Sequence, residues 1–198
     1  MELIIEEGAK SLSDAHSARI ADIQTQLRGM NVSEDADALL SLADSLFAYS
    51  HSHELLELPL DEFITWLQDF LDFLRLREAP VKVERFVPAG RQVNFLLLNT
   101  PDVPFLIESL KMLLQREQQR AEIVSHPIVN IERSEGLLQS LGCDDDSGFQ
   151  ESFMLLRVES DAQGCRHLAQ AITDVFLVAQ SAGCQKEALE CQLKALAS

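Results

Sequence analysis

The period of the hydrophobic pattern changes at Pro80, and this change constrains the fold more than any other feature of the sequence. Before Pro80, apolar residues recur at three- and four-residue intervals, which is typical of amphipathic helices. After it, an alternation with a period of two begins at Val81, which is typical of β-strands. The sequence therefore predicts an α+β chain with a helical N-terminal subdomain (1–79), an α/β domain (80–182) and a C-terminal helical segment (183–198).

Three helices are predicted in the N-terminal subdomain. The first covers residues 12–30, and Ser33 can cap the second. The buried stripe of the second helix is predicted to be Leu39, Leu42, Ala43 and Leu46. The third helix, residues 59–77, is the clearest, because its apolar residues keep the helical spacing throughout. Trp66 and Phe73 lie on a second side of it, so we expect two covered faces, the second facing this chain or a partner.

The α/β domain is predicted to begin with a β-hairpin and a helix. Residues 81–86 and 92–98 form the two strands, with a Pro-Ala-Gly turn between them. A helix follows over residues 103–116. Its apolar side is predicted to consist of Phe105, Leu106, Ser109, Leu110, Leu113 and Leu114.

The second half of the α/β domain is predicted to contain two more strands and a helix. Residues 121–133 form one strand, in which Pro127 indicates an edge or a bulge, and a loop continues to about Phe149. Residues 151–159 form the next strand. The last helix is predicted to end at Gly183. Its stripe is Leu168, Ile172, Val175, Phe176 and Ala179.

Charge and hydropathy exclude several classes of partner. Sixteen basic against 32 acidic residues leave a net charge of −16, which repels phosphate backbones and anionic lipids. No apolar run approaches the roughly 18 residues that span a bilayer. The four cysteines lack Cys-x-x-Cys spacing, and the first residues do not resemble a secretory signal. We therefore predict a cytoplasmic protein that binds neither nucleic acid nor membranes.

Known chemical motifs are missing or incomplete. The eight glycines include no Gly-x-Gly pair, so no dinucleotide turn is predicted. The acidic loop at residues 144–148 places a glycine where a calcium loop needs an oxygen ligand. His51 with His53, and Cys165 with His167, lack a second pair at metal-ligand spacing. Solvated surface residues are the simpler interpretation, and no catalytic or metal-binding residue is predicted.

Three blocks carry a resemblance to a known family. Asn94–Ser109 (NFLLLNTPDVPFLIES) is similar to a strand, turn and helix in the N-terminal region of the large bacterial NAD-specific glutamate dehydrogenases. Ser125–Ile128 resembles that family's His-Pro-Val strand, and Glu151–Met154 resembles its Glu-Ser-Phe-Met strand. The blocks follow the family's order, and the resemblance spans about residues 40–180. Residues 100–102 depart from it, because Thr-Pro-Asp replaces a double acid.

The resemblance implies an ACT-like antiparallel sheet covered by two helices, in a non-catalytic segment for regulation or assembly. In that family NAD binds in a downstream domain, which converts glutamate to 2-oxoglutarate. No cofactor and no activity are therefore implied for this chain, which would be a piece of a longer enzyme or a stand-alone relative. Packing on other domains or subunits and an amino-acid effector are implied. The rival hypotheses are a purely structural domain without a ligand, and an unrecognised enzyme.

A ligand of the α/β domain is predicted to bind at the end of the second strand. Ligands of open α/β sheets gather at the carboxyl ends of strands, which here places Asn99, Thr100, Asp102 and Val103 at the site. Backbone N–H groups of the following helix could hold a carboxylate, and Asp102 could hold an amino group. The alternative is that Asn99, Thr100 and Asp102 only cap that helix.

Overall fold

The computed structural model of the protein describes residues 2–29, 35–49, 54–142 and 149–196, with side chains described between residues 15 and 183 of these ranges. The chain forms two compact units, each built from two segments. The first unit consists of Met1–Leu76 and Val124–Gly148. The second consists of Arg77–Ile123 and Phe149–Ser198.

The first unit contains the predicted helices. They are α1 (Glu2–Gly29), α2 (Ala36–Ala48), the short α3 (Glu54–Glu57) and α4 (Leu60–Arg75). The helix α1 begins earlier than predicted, because helix-forming residues and no proline precede its apolar stripe. The predicted stripe of α2 is buried as expected. The predicted cap Ser33 lies outside the described residues.

Helix α4 has the strongest amphipathic pattern and is confirmed within two residues of its predicted ends. Trp66 and Phe73, on its second side, are buried within this chain. The predicted covering of two faces is therefore confirmed, and this chain itself supplies the cover.

A β-hairpin that the sequence reading missed completes the first unit. Strands β4 (Ile128–Ser134) and β5 (Leu137–Leu141) pair antiparallel. Strand β4 falls almost entirely within the strand predicted over residues 121–133, whereas β5 lies where a loop was predicted. Glu135 and Gly136 both adopt positive φ, which matches a tight two-residue hairpin turn. Arg133 Nη1 donates to the backbone carbonyl of Leu74 at 2.9 Å and so ties the hairpin to the end of α4. The hairpin therefore belongs to the first unit, although its residues lie within the range predicted for the α/β domain.

Four strands carry the second unit. They are β1 (Lys82–Phe86), β2 (Asn94–Pro101), β3 (Ala121–Ser125), whose last two residues belong to the first unit, and β6 (Phe149–Val158). The predicted β1–β2 hairpin is confirmed, β2 pairs antiparallel with β6, and β3 also pairs with β6. The single strand predicted over residues 121–133 is wrong, because Pro127, which cannot donate to a ladder, separates β3 from β4.

Helices α5 (Leu106–Arg116) and α6 (Ala162–Leu196) pack on one face of this sheet. Successive side chains of a strand point to opposite faces of the sheet. The even-numbered residues of β2 and β6 therefore share one face, and they pack against the buried residues of α5 and α6. The core of the unit includes Leu96, Leu98, Leu110, Leu113, Met154, Leu156, Leu168, Ile172 and Phe176. The predicted α+β class, with an ACT-like antiparallel sheet covered by two helices, is confirmed. None of the helices in the described part of the chain combines the length and apolar character needed to cross a membrane.

The predicted end of the last helix at Gly183 is wrong, because α6 continues through this residue to Leu196. One glycine costs a helix only about 1 kcal/mol, which packing can outweigh. Gly183 is buried, and a Cβ built on it would lie 3.4 Å from Cβ of Val103. The glycine therefore lies where α6 passes close to the segment before α5.

We expect Gly183→Ala to stabilise the protein by about 0.5 to 1 kcal/mol, because alanine is the better helix former and its methyl group fits at van der Waals distance from Val103. Urea unfolding measures the change. Gly90→Ala is the control, since Gly90 has open space around it but a φ of +76°, and we expect a loss of about 1 kcal/mol. Equal destabilisation of both variants would contradict a continuous, unstrained helix at Gly183.

Candidate functional site

Polar residues replace apolar ones where strand β2 ends beside the start of strand β6. In this antiparallel pair Thr100 lies opposite Ser152, and Pro101 lies opposite Glu151. The strand centres are apolar, yet Asn99, Thr100, Glu151 and Ser152 are just as buried as those centres. We call these four residues, with Arg77, Asp102 and Gln180, the sheet-end cluster.

One side of the sheet-end cluster is a buried ion pair. Arg77 Nη2 lies 2.8 Å from Glu151 Oε1, and the side-chain amide of Asn99 donates to Glu151 Oε2 at 2.9 Å. Only 2% of the Glu151 side chain is exposed. A buried carboxylate loses its hydration, which costs free energy, and these two donors offset part of that desolvation penalty.

The other side of the cluster ties helix α6 to the sheet. The side-chain amide of Gln180, on α6, donates to the Thr100 hydroxyl and to the Pro80 carbonyl, the latter at 3.2 Å. The Ser152 hydroxyl donates to Asp102 Oδ1 at 2.6 Å. Alternation along β2 explains this arrangement, since Asn99 and Thr100 point to opposite faces.

The predicted ligand residues thus lie together but hydrogen-bond to other parts of the unit. Asn99 and Thr100 are fully buried, whereas Asp102 and Val103 are partly exposed. A ligand that contacted the buried pair would have to replace internal hydrogen bonds. Sequence reasoning missed Glu151, the acceptor for Asn99, although a carboxylate at the start of an otherwise apolar strand was a visible signal.

The alternative role of these residues as helix caps is wrong. Strand β2 continues through Pro101, and α5 begins only at Leu106, so a turn separates the polar residues from the helix. The residue before α5 is Phe105, which has a φ of +72° and makes no side-chain capping hydrogen bond. Phe105 was predicted on the buried side of the helix, but 67% of it is exposed, because the left-handed turn directs it away from the core.

Cys165 and His167 diverge, although they lie two residues apart on α6. Cys165 is buried in the core, and this burial raises the pKa of its thiol, with Arg85 nearby opposing the shift. His167 is exposed, with Nε2 3.6 Å from Glu117 Oε2. Among the described residues, no three His, Cys, Asp or Glu side chains are grouped as metal ligands. His51, His53 and the acidic loop at residues 144–148 lie outside the described part.

A groove between α5 and α6 has a volume of about 640 Å³. This volume lies within the range of small-molecule sites. We call it the α5–α6 groove. Its wall on α6 is Ala171, Asp174, Val175, Val178, Ala179 and Ala182, and its wall on the α5 side includes Pro104, Phe105 and Ser109.

Charged residues close one end of the α5–α6 groove. Arg116 Nη2 lies 2.9 Å from Glu117 Oε1, and His167 approaches the other oxygen of the same carboxylate. The hydrogen bond from Arg116 is the main reason why the pKa of Glu117 lies below its usual value. The groove therefore runs from a charged end at Arg116 to an aromatic end at Phe105.

The sequence was compared with family models, with curated proteins and with solved structures. A model described as the glutamate dehydrogenase ACT1 domain matches residues 42–173. The chain belongs to the glutamate dehydrogenase ACT1 domain family. The curated proteins and the solved structures give no significant match.

The match includes all of the sheet-end cluster except Gln180. It begins within α2 and ends within α6, so it spans all six strands and helix α5. Arg77, Asn99, Thr100, Asp102, Glu151 and Ser152 fall inside it, whereas Gln180 and the wall of the α5–α6 groove from Asp174 onward lie past its end.

We expect Arg77→Met to destabilise this ACT1 domain by about 3 to 5 kcal/mol, because it removes a cation that lies 2.8 Å from the buried Glu151 carboxylate. Arg75→Met is the matched control, since Arg75 pairs with Asp35 and Asp72 on the surface and its loss should cost less than about 1 kcal/mol. Chemical unfolding of both variants measures the difference. Equal losses would mean that the Glu151 pair is no more important than a surface contact.

Proposed function

We propose that this chain is a non-catalytic regulatory and assembly segment of a glutamate dehydrogenase. The match to the ACT1 domain family over residues 42–173 carries the proposal. The geometry supports it, because the buried polar groups of the sheet-end cluster are bound to each other, while the concave surface is an apolar groove. Such a surface is suited to binding rather than to proton or group transfer.

The proposal assigns the chemistry to another part of the enzyme. NAD binding and glutamate oxidation would belong to a separate catalytic domain of the large NAD-specific class, and this segment would hold no cofactor. It would pack on other domains or subunits in the cytoplasm. An amino acid could act as its effector at Asn99, Thr100, Asp102 and Val103.

A purely structural domain is the second candidate. The observation in its favour is that Asn99, Thr100 and Asp102 already hydrogen-bond to Glu151, Gln180 and Ser152. In that case the cluster only stabilises the ACT-like unit, and the segment binds no small molecule. An unrecognised enzyme is the remaining rival, which activity screening of the isolated chain would test.

We expect the isolated chain neither to bind NAD nor to oxidise glutamate, because its sequence lacks the glycine turn that dinucleotide binding uses. Titration calorimetry with NAD and a spectrophotometric assay of NADH formation measure these properties. Micromolar NAD binding would contradict the assignment of the cofactor to another domain.

The effector is tested by thermal shift with the twenty amino acids at millimolar concentration. If the predicted site is used, one amino acid should raise the melting temperature of the wild type, and Asp102→Ala should abolish that shift, because Asp102 would hold the amino group. Glu108→Ala is the control, since Glu108 is an exposed carboxylate nearby on α5. The absence of any shift would favour the purely structural candidate.

A further inference from the structure

The α5–α6 groove leaves two large apolar side chains in water. Val178 is 70% exposed and Phe105 is 67% exposed, and both line the groove. Exposed apolar residues that stand alone need no explanation, but two that flank one apolar groove form a surface that a partner can cover. The four-turn stretch of α6 along the groove, from His167 to Ala182, is about 22 Å long.

The backbone conformation of Phe105, at the aromatic end of the groove, also indicates a surface that a partner can cover. Its φ of +72° is a left-handed conformation that is unfavourable for a bulky side chain. No side-chain capping bond compensates for it at the start of α5. The strained backbone therefore holds an aromatic ring in solvent beside the groove, where the ring can contact a partner.

Four of the six residues on the α6 wall of the groove form a symmetrical pattern, whereas Asp174 and Ala179, at the remaining pair of two-fold-related positions, differ. Ala171, Val175, Val178 and Ala182 are separated by four, three and four residues, so the order Ala, Val, Val, Ala reads the same in both directions. Spacings of three and four residues keep these side chains on one face of a helix. This face lies beside the core stripe that contains Leu168, Ile172 and Phe176.

We propose that the α5–α6 groove is the interface between two copies of this chain, which pack their α6 helices antiparallel about a two-fold axis. This interface deepens the assembly part of the proposed function and rests on it. A two-fold axis between Val175 and Val178 places Val175 opposite Val178 of the second copy and Ala171 opposite its Ala182. Such an interface must be self-complementary. The four apolar residues of the stripe meet this requirement, and the axis also places Asp174 opposite Ala179 of the second copy.

The two ends of the groove are also complementary in this arrangement. Because α6 runs from the charged end to the aromatic end, antiparallel packing brings Phe105 of one copy beside Arg116 and His167 of the other. A guanidinium group is attracted to the face of an aromatic ring. The second copy would thus cover the exposed ring of Phe105, and small residues such as Ala171 and Ala182 would let the helices approach closely.

The net charge of −16 opposes this association, so salt should strengthen it. Sedimentation equilibrium of the full chain, at low and high salt over a range of concentrations, is expected to show a monomer–dimer equilibrium that shifts toward the dimer in high salt. Val178→Asp should weaken the dimer at least about tenfold. Phe149→Asp, which replaces an 82% exposed phenylalanine on β6, should leave it unchanged. A chain that stays monomeric, or a dimer that Val178→Asp does not weaken, would overturn the proposal.

The antiparallel register is tested by two substitutions at opposing positions. Ala171→Glu and Ala182→Lys should each weaken the dimer, because each places a charge opposite an alanine. The double variant should restore it, because each new glutamate then faces a new lysine of the other copy, whereas in a parallel pair like charges would meet. Failure of the double variant to recover would rule out this register. Melting temperatures of the dilute monomers control for folding, and the NAD and amino-acid experiments test the regulatory role separately.

Discussion

The antiparallel pairing of β2 with β6 is the constraint on which the second unit depends. It runs in register from Asn94 opposite Val158 to Pro101 opposite Glu151. A slip of one residue would turn every side chain of one strand to the other face. The apolar residues of that strand would leave the helices α5 and α6, and the partners of Glu151 would no longer reach it. Core packing and polar pairing therefore specify the same register.

The sheet-end cluster shows how an ordinary fold tolerates buried charge. Glu151 lies at the start of a buried strand, and Arg77 and Asn99 together supply both of its carboxylate oxygens with donors. Breaking such a pair is far more damaging than never having made it, since the remaining charge keeps its desolvation penalty. The cluster thus rigidifies the end of the sheet. A ligand at this end would work against existing hydrogen bonds, whereas the groove on the helical layer presents apolar surface that water already covers.

A regulatory or assembly segment needs surfaces that a partner can occupy without unfolding the domain. In the second unit the inner faces of α5 and α6 pack on the core, whereas the outer groove between them stays accessible. The core residues of α5 and α6 stabilise the unit, while the neighbouring residues of α6 that line the groove stay accessible.

The sequence by itself determined the class of fold, because the change from a helical to a strand period at Pro80 depends only on local residue order. It also determined α4, the β1–β2 hairpin and the stripes of α2 and α6. The β4–β5 hairpin could not be predicted with the same certainty, since five residues with weak alternation resemble a loop until α2 and α4 supply a packing surface. Likewise, the sequence pattern predicts a helix end at Gly183, whereas in the structure α6 continues through this residue, which lies close to Val103.

The candidate sites could likewise be predicted only in part from the sequence. Asn99, Thr100 and Asp102 were recognisable as polar residues at the end of an apolar strand. Their partners come from positions 50 to 80 residues away, and no local pattern predicts those distances. The exposure of Phe105 depends on one left-handed backbone angle, which helical periodicity cannot reveal. Local order therefore decided most of the elements, and only tertiary packing decided the β4–β5 hairpin, which side chains are buried together and which stay exposed.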